Sequence, residues 1–244
     1  MVRNYDPDRS VPAEVVERML RHAIHAPSAG FSQGWGFLVL ESAADRERFW
    51  TATTPEDWTP AQPAGGGGAA GGGGGAGGSG GAGGSGGGGA AGGGAGGGGA
   101  AGGGGAAGSG GGPGQGRWLA GMRRAPLIVT ALSNKEAYLD RYAEPDKGWT
   151  DRDESRWPVP YWHIDAGMAA LLMLLTAVDA GLGACFFGIP PARIGAFRAA
   201  FGVPERYTPV GALTVGYPAP DWRSPSLRRG RRDVTDVVHR GHWG

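Results

Sequence analysis

The stretch Ala26-Pro27-Ser28-Ala29-Gly30-Phe31-Ser32-Gln33-Gly34-Trp35 marks a change from a helical to a strand pattern. Pro27 stops the preceding helix, because proline lacks the N–H and crowds the previous turn. Ser28 to Gly34 reads as a small, polar loop. Before it, Val15, Val16, Met19, Leu20, Ala23 and Ile24 recur at helical spacing and give one apolar face. Pro12 lies where a first-turn proline belongs, with Ser10 as a candidate cap. After the loop, Gly36 to Leu40 is a short apolar strand, and Ala43 to Trp50 reads as a second helix.

A low-complexity run then interrupts the pattern. Residues 65–112 comprise 34 Gly, 11 Ala and 3 Ser. Gly and Ala bury almost no side chain, and Gly loses the most backbone entropy on ordering, so the run is expected to be poorly ordered. Its Gly-x-Gly matches follow from composition: no strand precedes them and no helix follows closely. The run has no Gly-X-Y period and no proline, which excludes collagen. The 196 residues outside it contain 18 Gly, an ordinary share, and suffice for one domain with a real core. Residues 1–64 and 117–244 are therefore read as two parts of one domain, and 65–116 as an insertion in a surface loop.

Order returns near Arg117. Residues 118–122 carry a weak helical pattern, and Pro126 to Ser133 is rich in strand formers. Asn134 to Trp162 is polar and aromatic and reads as a long, partly ordered excursion. His163 to Ala180 is the central helix. Its apolar part, Ala166 to Val178, is too short to cross a bilayer. Strands at 184–187 and 210–216 flank a helix at 192–201. The absence of a strict strand–helix–strand rhythm points to an α+β fold rather than a doubly wound α/β one.

Net charge is +1, which gives no reason to invoke nucleic acid or an anionic membrane. The single cysteine, Cys185, excludes an internal disulfide and suits a reducing cytoplasm. The N-terminus has no leader-like apolar segment. His22 and His25 are three apart, as are His239 and His242, but no further ligand completes a metal set. Gly-x-Ser-x-Gly and the phosphate-binding Gly-Lys-Ser/Thr loop are both absent. Asp151, Asp153 and Glu154 read as a solvated acidic face. Arg223, Arg228, Arg229, Arg231, Arg232 and Arg240 gather near the end of the chain.

Four pieces in order carry the strongest signal: Val2-Arg3-Asn4-Tyr5, then Ala26 to Trp35, then Gly181-Leu182-Gly183-Ala184-Cys185-Phe186-Phe187-Gly188, then Arg229-Gly230-Arg231. Together they resemble the nitroreductase-like flavoprotein family over nearly all of the chain outside the run. The resemblance implies an α+β fold, with a central, mostly antiparallel sheet flanked by helices, that binds FMN noncovalently at a homodimer interface. It implies that Arg3 approaches the flavin pyrimidine edge. Pro27, Ser28 and Ala29 would lie in a loop that reaches the flavin across the interface, and Gln33 would hydrogen-bond it. Phe187, Gly188 and Ile189 would pack on the ring with a backbone N–H near N5. Arg229 and Arg231 would hold the phosphate, a role that charge-assisted guanidinium donors suit.

The expected activity is hydride transfer from NADH or NADPH through flavin N5 to a nitro compound, quinone or enone, in ping-pong order. No side chain need serve as an obligatory acid or base, because the cofactor carries the chemistry. Two alternatives stand beside it: a flavin-binding protein of the same fold without NAD(P)H turnover, and a scaffold whose Gly run is the functional part. The sequence departs from the family pattern at Phe31, where many members carry Asn. It also lacks the basic residue or two that members usually place just before the position of Met1, so either the start lies further upstream or the phosphate site is impoverished.

Overall fold

The computed structural model describes residues 1–55, 113–221 and 225–243. The Gly-rich run, and with it the expectation that it is poorly ordered, lies outside the described residues.

A four-stranded antiparallel sheet is built from β1 (Trp35–Leu40), β2 (Leu127–Asn134), β3 (Gly183–Phe187) and β4 (Tyr207–Gly216), in the order β1-β2-β4-β3. The helices are α1 (Ala13–Ala23), α2 (Ala43–Thr53), α3 (Pro113–Met122), α4 (Lys135–Ala143), α5 (Tyr161–Asp179) and α6 (Ile194–Phe201). The α+β expectation holds.

Strand alternation sorts the core into two faces. On one face, Leu127, Val129 and Ala131 of β2 meet Leu213 and Val215 of β4, covered by Met19 and Ala23 of α1 and Ala169, Ala170, Met173 and Ala177 of α5. Small residues on α5 let the helix approach closely. On the other face, Ile128, Leu132 and Ala212 pack with Phe49 and Trp50 of α2, Leu119 and Met122 of α3, and Phe197 of α6. α5 runs for 19 residues and is long and apolar enough to cross a membrane. Its inner side is instead the core just described.

Local signals differ from expectation at three places. Pro12 is the N-cap of α1 with an extended ψ of 135°, outside the first turn, and α1 has no side-chain cap. Residues 135–143 form α4 within the expected excursion; only Tyr138 and Leu139 of this polar segment are buried, so its periodicity is faint. β4 starts at Tyr207, before Pro209. A register shift opposite Ala131/Leu132 accommodates the proline, which cannot donate to the ladder. By contrast, Ser42 caps α2 by accepting from the Asp45 N–H at 3.0 Å.

Candidate functional site

The loop between α1 and β1 contains a 3-10 turn at Ala29–Phe31 and bends through left-handed backbone three times: Gly30 (φ 60°), Phe31 (φ 58°) and Gln33 (φ 49°). A non-glycine residue held there costs about 1–3 kcal/mol, so surrounding contacts must hold it. Ala29 N donates to Asp165 Oδ2 of α5 at 2.8 Å, and Tyr138 of α4 donates its hydroxyl to the same oxygen at 2.7 Å. Gln33 N donates to Ser28 Oγ at 2.8 Å, and the Ser32 hydroxyl donates to the Ala29 carbonyl at 2.7 Å. Arg141 of α4 donates Nε to the Gly30 carbonyl at 3.0 Å and is itself held by both oxygens of Asp146 at 2.7 Å. Gly30 is required twice over, because a Cβ there would lie 2.5 Å from the Tyr142 ring. Burial, and next the Asp165 bond, push the Tyr138 phenol well above its ordinary range. At the outer end of the loop the Phe31 ring is 76% exposed.

Arg3 lies on an N-terminal arm laid along β3 and the segment after β4. Val2 N donates to the Ala184 carbonyl (3.1 Å), Ala219 N to the Asn4 carbonyl (3.0 Å) and Asp6 N to the Tyr217 carbonyl (3.0 Å). The Arg3 amide donates to Asp221 Oδ2 at 2.8 Å. Gly121 of α3 sits directly against the Arg3 carbonyl, where any side chain would collide with backbone. Cys185 is buried. Burial raises the pKa of its thiol and outweighs the opposing Arg3 charge, so the thiolate is disfavoured.

Phe187, Gly188 and Ile189 follow at the end of β3. The Phe187 ring stacks on Trp50 (centroids 5.7 Å apart, planes 10° apart) and meets Trp118 edge-on at 5.7 Å. That ring is therefore committed to the α2–α3 side, whereas Phe186 points to the opposite face against Gly211. Gly188 is exposed, with open space where a side chain would stand, and Ile189 is half-buried.

Arg229 ends a 3-10 turn at Pro225–Arg229, and Arg231 follows two residues later. Both are exposed, and neither makes an ion pair among the described residues. Hydrogen bonds in this tail are local, such as Arg232 to the Asp236 carbonyl (2.8 Å) and Thr235 N to Asp233 (2.9 Å).

The structure places Arg3 next to the start of β3, through the bond of Val2 to Ala184, and residues 187–189 at its end. It places Pro27, Ser28, Ala29 and Gln33 at the start of β1. β1 and β3 are opposite edges of the sheet, three strand spacings or about 14 Å apart. Sequence reasoning missed Asp165, Tyr138, Arg141 and Gly121. The one available signal was a carboxylate at the head of the most apolar segment, where a charge needs partners. His22, one of the paired histidines, is instead bonded to Thr176 Oγ1 at 2.7 Å.

The nitroreductase family profile matches residues 1–217. A curated protein of Methanothermobacter thermautotrophicus, provisionally named NADH dehydrogenase/NAD(P)H nitroreductase, is 33% identical over 96 residues. That match covers 37% of this chain and spans about half (47%) of the relative. Two solved structures share the fold. A nitroreductase family protein from Streptococcus pneumoniae has a TM-score of 0.56 at 14% identity, covering 98% of this chain and 94% of that one. An FMN-dependent nitroreductase from Clostridium difficile has a TM-score of 0.53 at 16% identity, covering 99% and 94%.

Proposed function

The chain belongs to the nitroreductase family, and from that membership we propose that it is an FMN-dependent NAD(P)H oxidoreductase that works as a homodimer. Bound FMN would supply two-electron chemistry, taking hydride from NADH or NADPH and, in ping-pong order, reducing an electron-poor nitro compound, quinone or enone.

The donor set matches FMN in kind. Arg229 and Arg231 are exposed guanidiniums without acidic partners among the described residues, which suits a phosphate. Arg3 offers a cation, anchored through its own amide by Asp221, for a pyrimidine edge that gains negative charge on reduction. Gly188 leaves the backbone after β3 uncovered for close approach. Ser28, Ala29 and Gln33 offer polar groups from a strained, multiply bonded loop.

The observation that carries the homodimer is the placement of these groups on opposite edges of one sheet. In this reading the loop of each copy serves the site of the other. Ile164, Leu171, Leu175 and Val178 line one side of α5 and are exposed. That apolar stripe is the natural seat for a second copy. The partners are then a second chain and a small-molecule acceptor, and a cytoplasmic setting supplies the reduced nicotinamide.

Purified protein tests the reading. Retained yellow colour, release of FMN on denaturation, and oxidation of NADH or NADPH with a quinone acceptor are expected. A colourless protein that neither takes up FMN nor oxidises either nicotinamide overturns it. Bound FMN without turnover selects the flavin-binding alternative.

A further inference from the structure

Asp165 and Tyr138 tie the 28–33 loop to the core. The Tyr138 phenol meets Asp165 Oδ2 at 2.7 Å, and Ala29 N–H meets the same oxygen at 2.8 Å. Gln33 N–H meets Ser28 Oγ at 2.8 Å and closes the loop on itself. An amide N–H can only donate and a carboxylate can only accept. Ala29 and Tyr138 therefore both donate to Asp165.

We propose that Asp165 and Tyr138 are positioning residues whose shared hydrogen bonds hold the Ser28–Gln33 loop in its binding conformation. The inference rests on the reading of this loop as part of the flavin site. Asp165 is 1% exposed and makes no ion pair among the described residues, so its hydrogen bonds are what compensate its burial. Ala29 lies in the loop, while Tyr138 and Asp165 lie on α4 and α5, which the core fixes. The anchored Ala29 directly precedes the left-handed Gly30 and Phe31, and the Ser28–Gln33 bond ends at the left-handed Gln33. These bonds supply the external restraint that such backbone needs.

The test uses the full chain stripped of flavin, with Tyr138→Phe, Asp165→Ala and Asp165→Asn. Amide hydrogen exchange of the peptide covering 26–36 is measured first, without FMN. Exchange at least tenfold faster in Y138F and D165A than in the wild type, with the peptides of β2 and β4 unchanged, is expected for about one or two lost charge-assisted bonds. D165N keeps an oxygen for both donors and should recover most of the protection. FMN titration by fluorescence quenching then separates the claims. Affinity about tenfold weaker in Y138F, more in D165A and largely restored in D165N supports the positioning role. Wild-type-like exchange in Y138F and D165A overturns the proposal, as does FMN affinity within about twofold of wild type in both. A wild-type chain that takes up no FMN defeats the flavin reading and the ligand-binding part of the proposal, whatever the exchange data show.

Discussion

The indole of Trp50 and the ring of Phe187 lie parallel, 10° between planes and 5.7 Å between centroids. The pair ties α2 to the end of β3, where Gly188 and Ile189 leave the sheet. Trp50 Nε1 is buried and has no hydrogen-bond partner among the described residues. Trp50→Ala should lower stability by about 3–5 kcal/mol through the cavity it leaves. Trp50→Phe keeps the stack, removes the unsatisfied N–H, and should cost about 1 kcal/mol or less. Urea denaturation of the two variants checks the ordering.

Arg229→Gln and Arg231→Gln should each weaken FMN binding about tenfold. Neither should change the affinity for riboflavin, which lacks the phosphate. Equal losses for both ligands would place these residues away from the phosphate. The difference should shrink as salt rises, since both guanidiniums are exposed.

Leu175→Glu puts a charge in the middle of the exposed stripe on α5. It leaves the core untouched, so the fold should persist while self-association weakens at least about a hundredfold. Sedimentation velocity should find a wild-type dimer and a variant monomer. The monomer should also bind FMN poorly, because each site needs the loop of the other copy.

His163 accepts or donates one bond at Nδ1 to Ser133 Oγ, 2.8 Å away. Burial, and secondarily the Lys135 charge, lower its folded-state pKa from the ordinary 6.5. The unfolded chain therefore binds the proton more readily, and protonation favours unfolding. Stability contributed by neutral His163 is complete above about pH 6.5 and declines as pH falls through the folded-state value. His163→Asn should flatten that portion of the profile of melting temperature against pH. An unchanged slope between pH 7 and 5 would refute the assignment.

Replacing residues 65–112 with a short linker should leave FMN affinity and nicotinamide oxidation within about twofold, because every proposed ligand-contacting residue lies outside the run. Closing a long loop costs only logarithmically in its length, so the shortened chain should gain about 1–3 kcal/mol at most. A large loss of activity would give the run a role in the site.

The sheet and the main helices were legible because burial follows periodicity. Residues 127–131 alternate between the two core faces, and Met19 and Ala23 recur on one side of α1. α4 was hidden because two buried residues in nine do not make a pattern. In the candidate site, Arg3, the 27–33 loop, residues 187–189 and Arg229 with Arg231 were legible as an ordered motif set. The set carried no information on what holds it. Phe187 read as a wall for a ligand, while its ring is stacked on Trp50 across the core.

Sequence alone determined the local grammar of this protein: where helices stop, which strand faces are apolar, and which family its motifs resemble. Those features depend on neighbours within a few residues, through backbone sterics and periodic burial. Only the tertiary structure decided that Asp165 reaches back 136 positions to Ala29, and that Gly121 seats Arg3. It alone placed the loop and residues 187–189 on opposite edges of one sheet. Such partners are chosen by three-dimensional packing, because a buried carboxylate bonds whatever donors the core brings within reach, however distant they are along the chain.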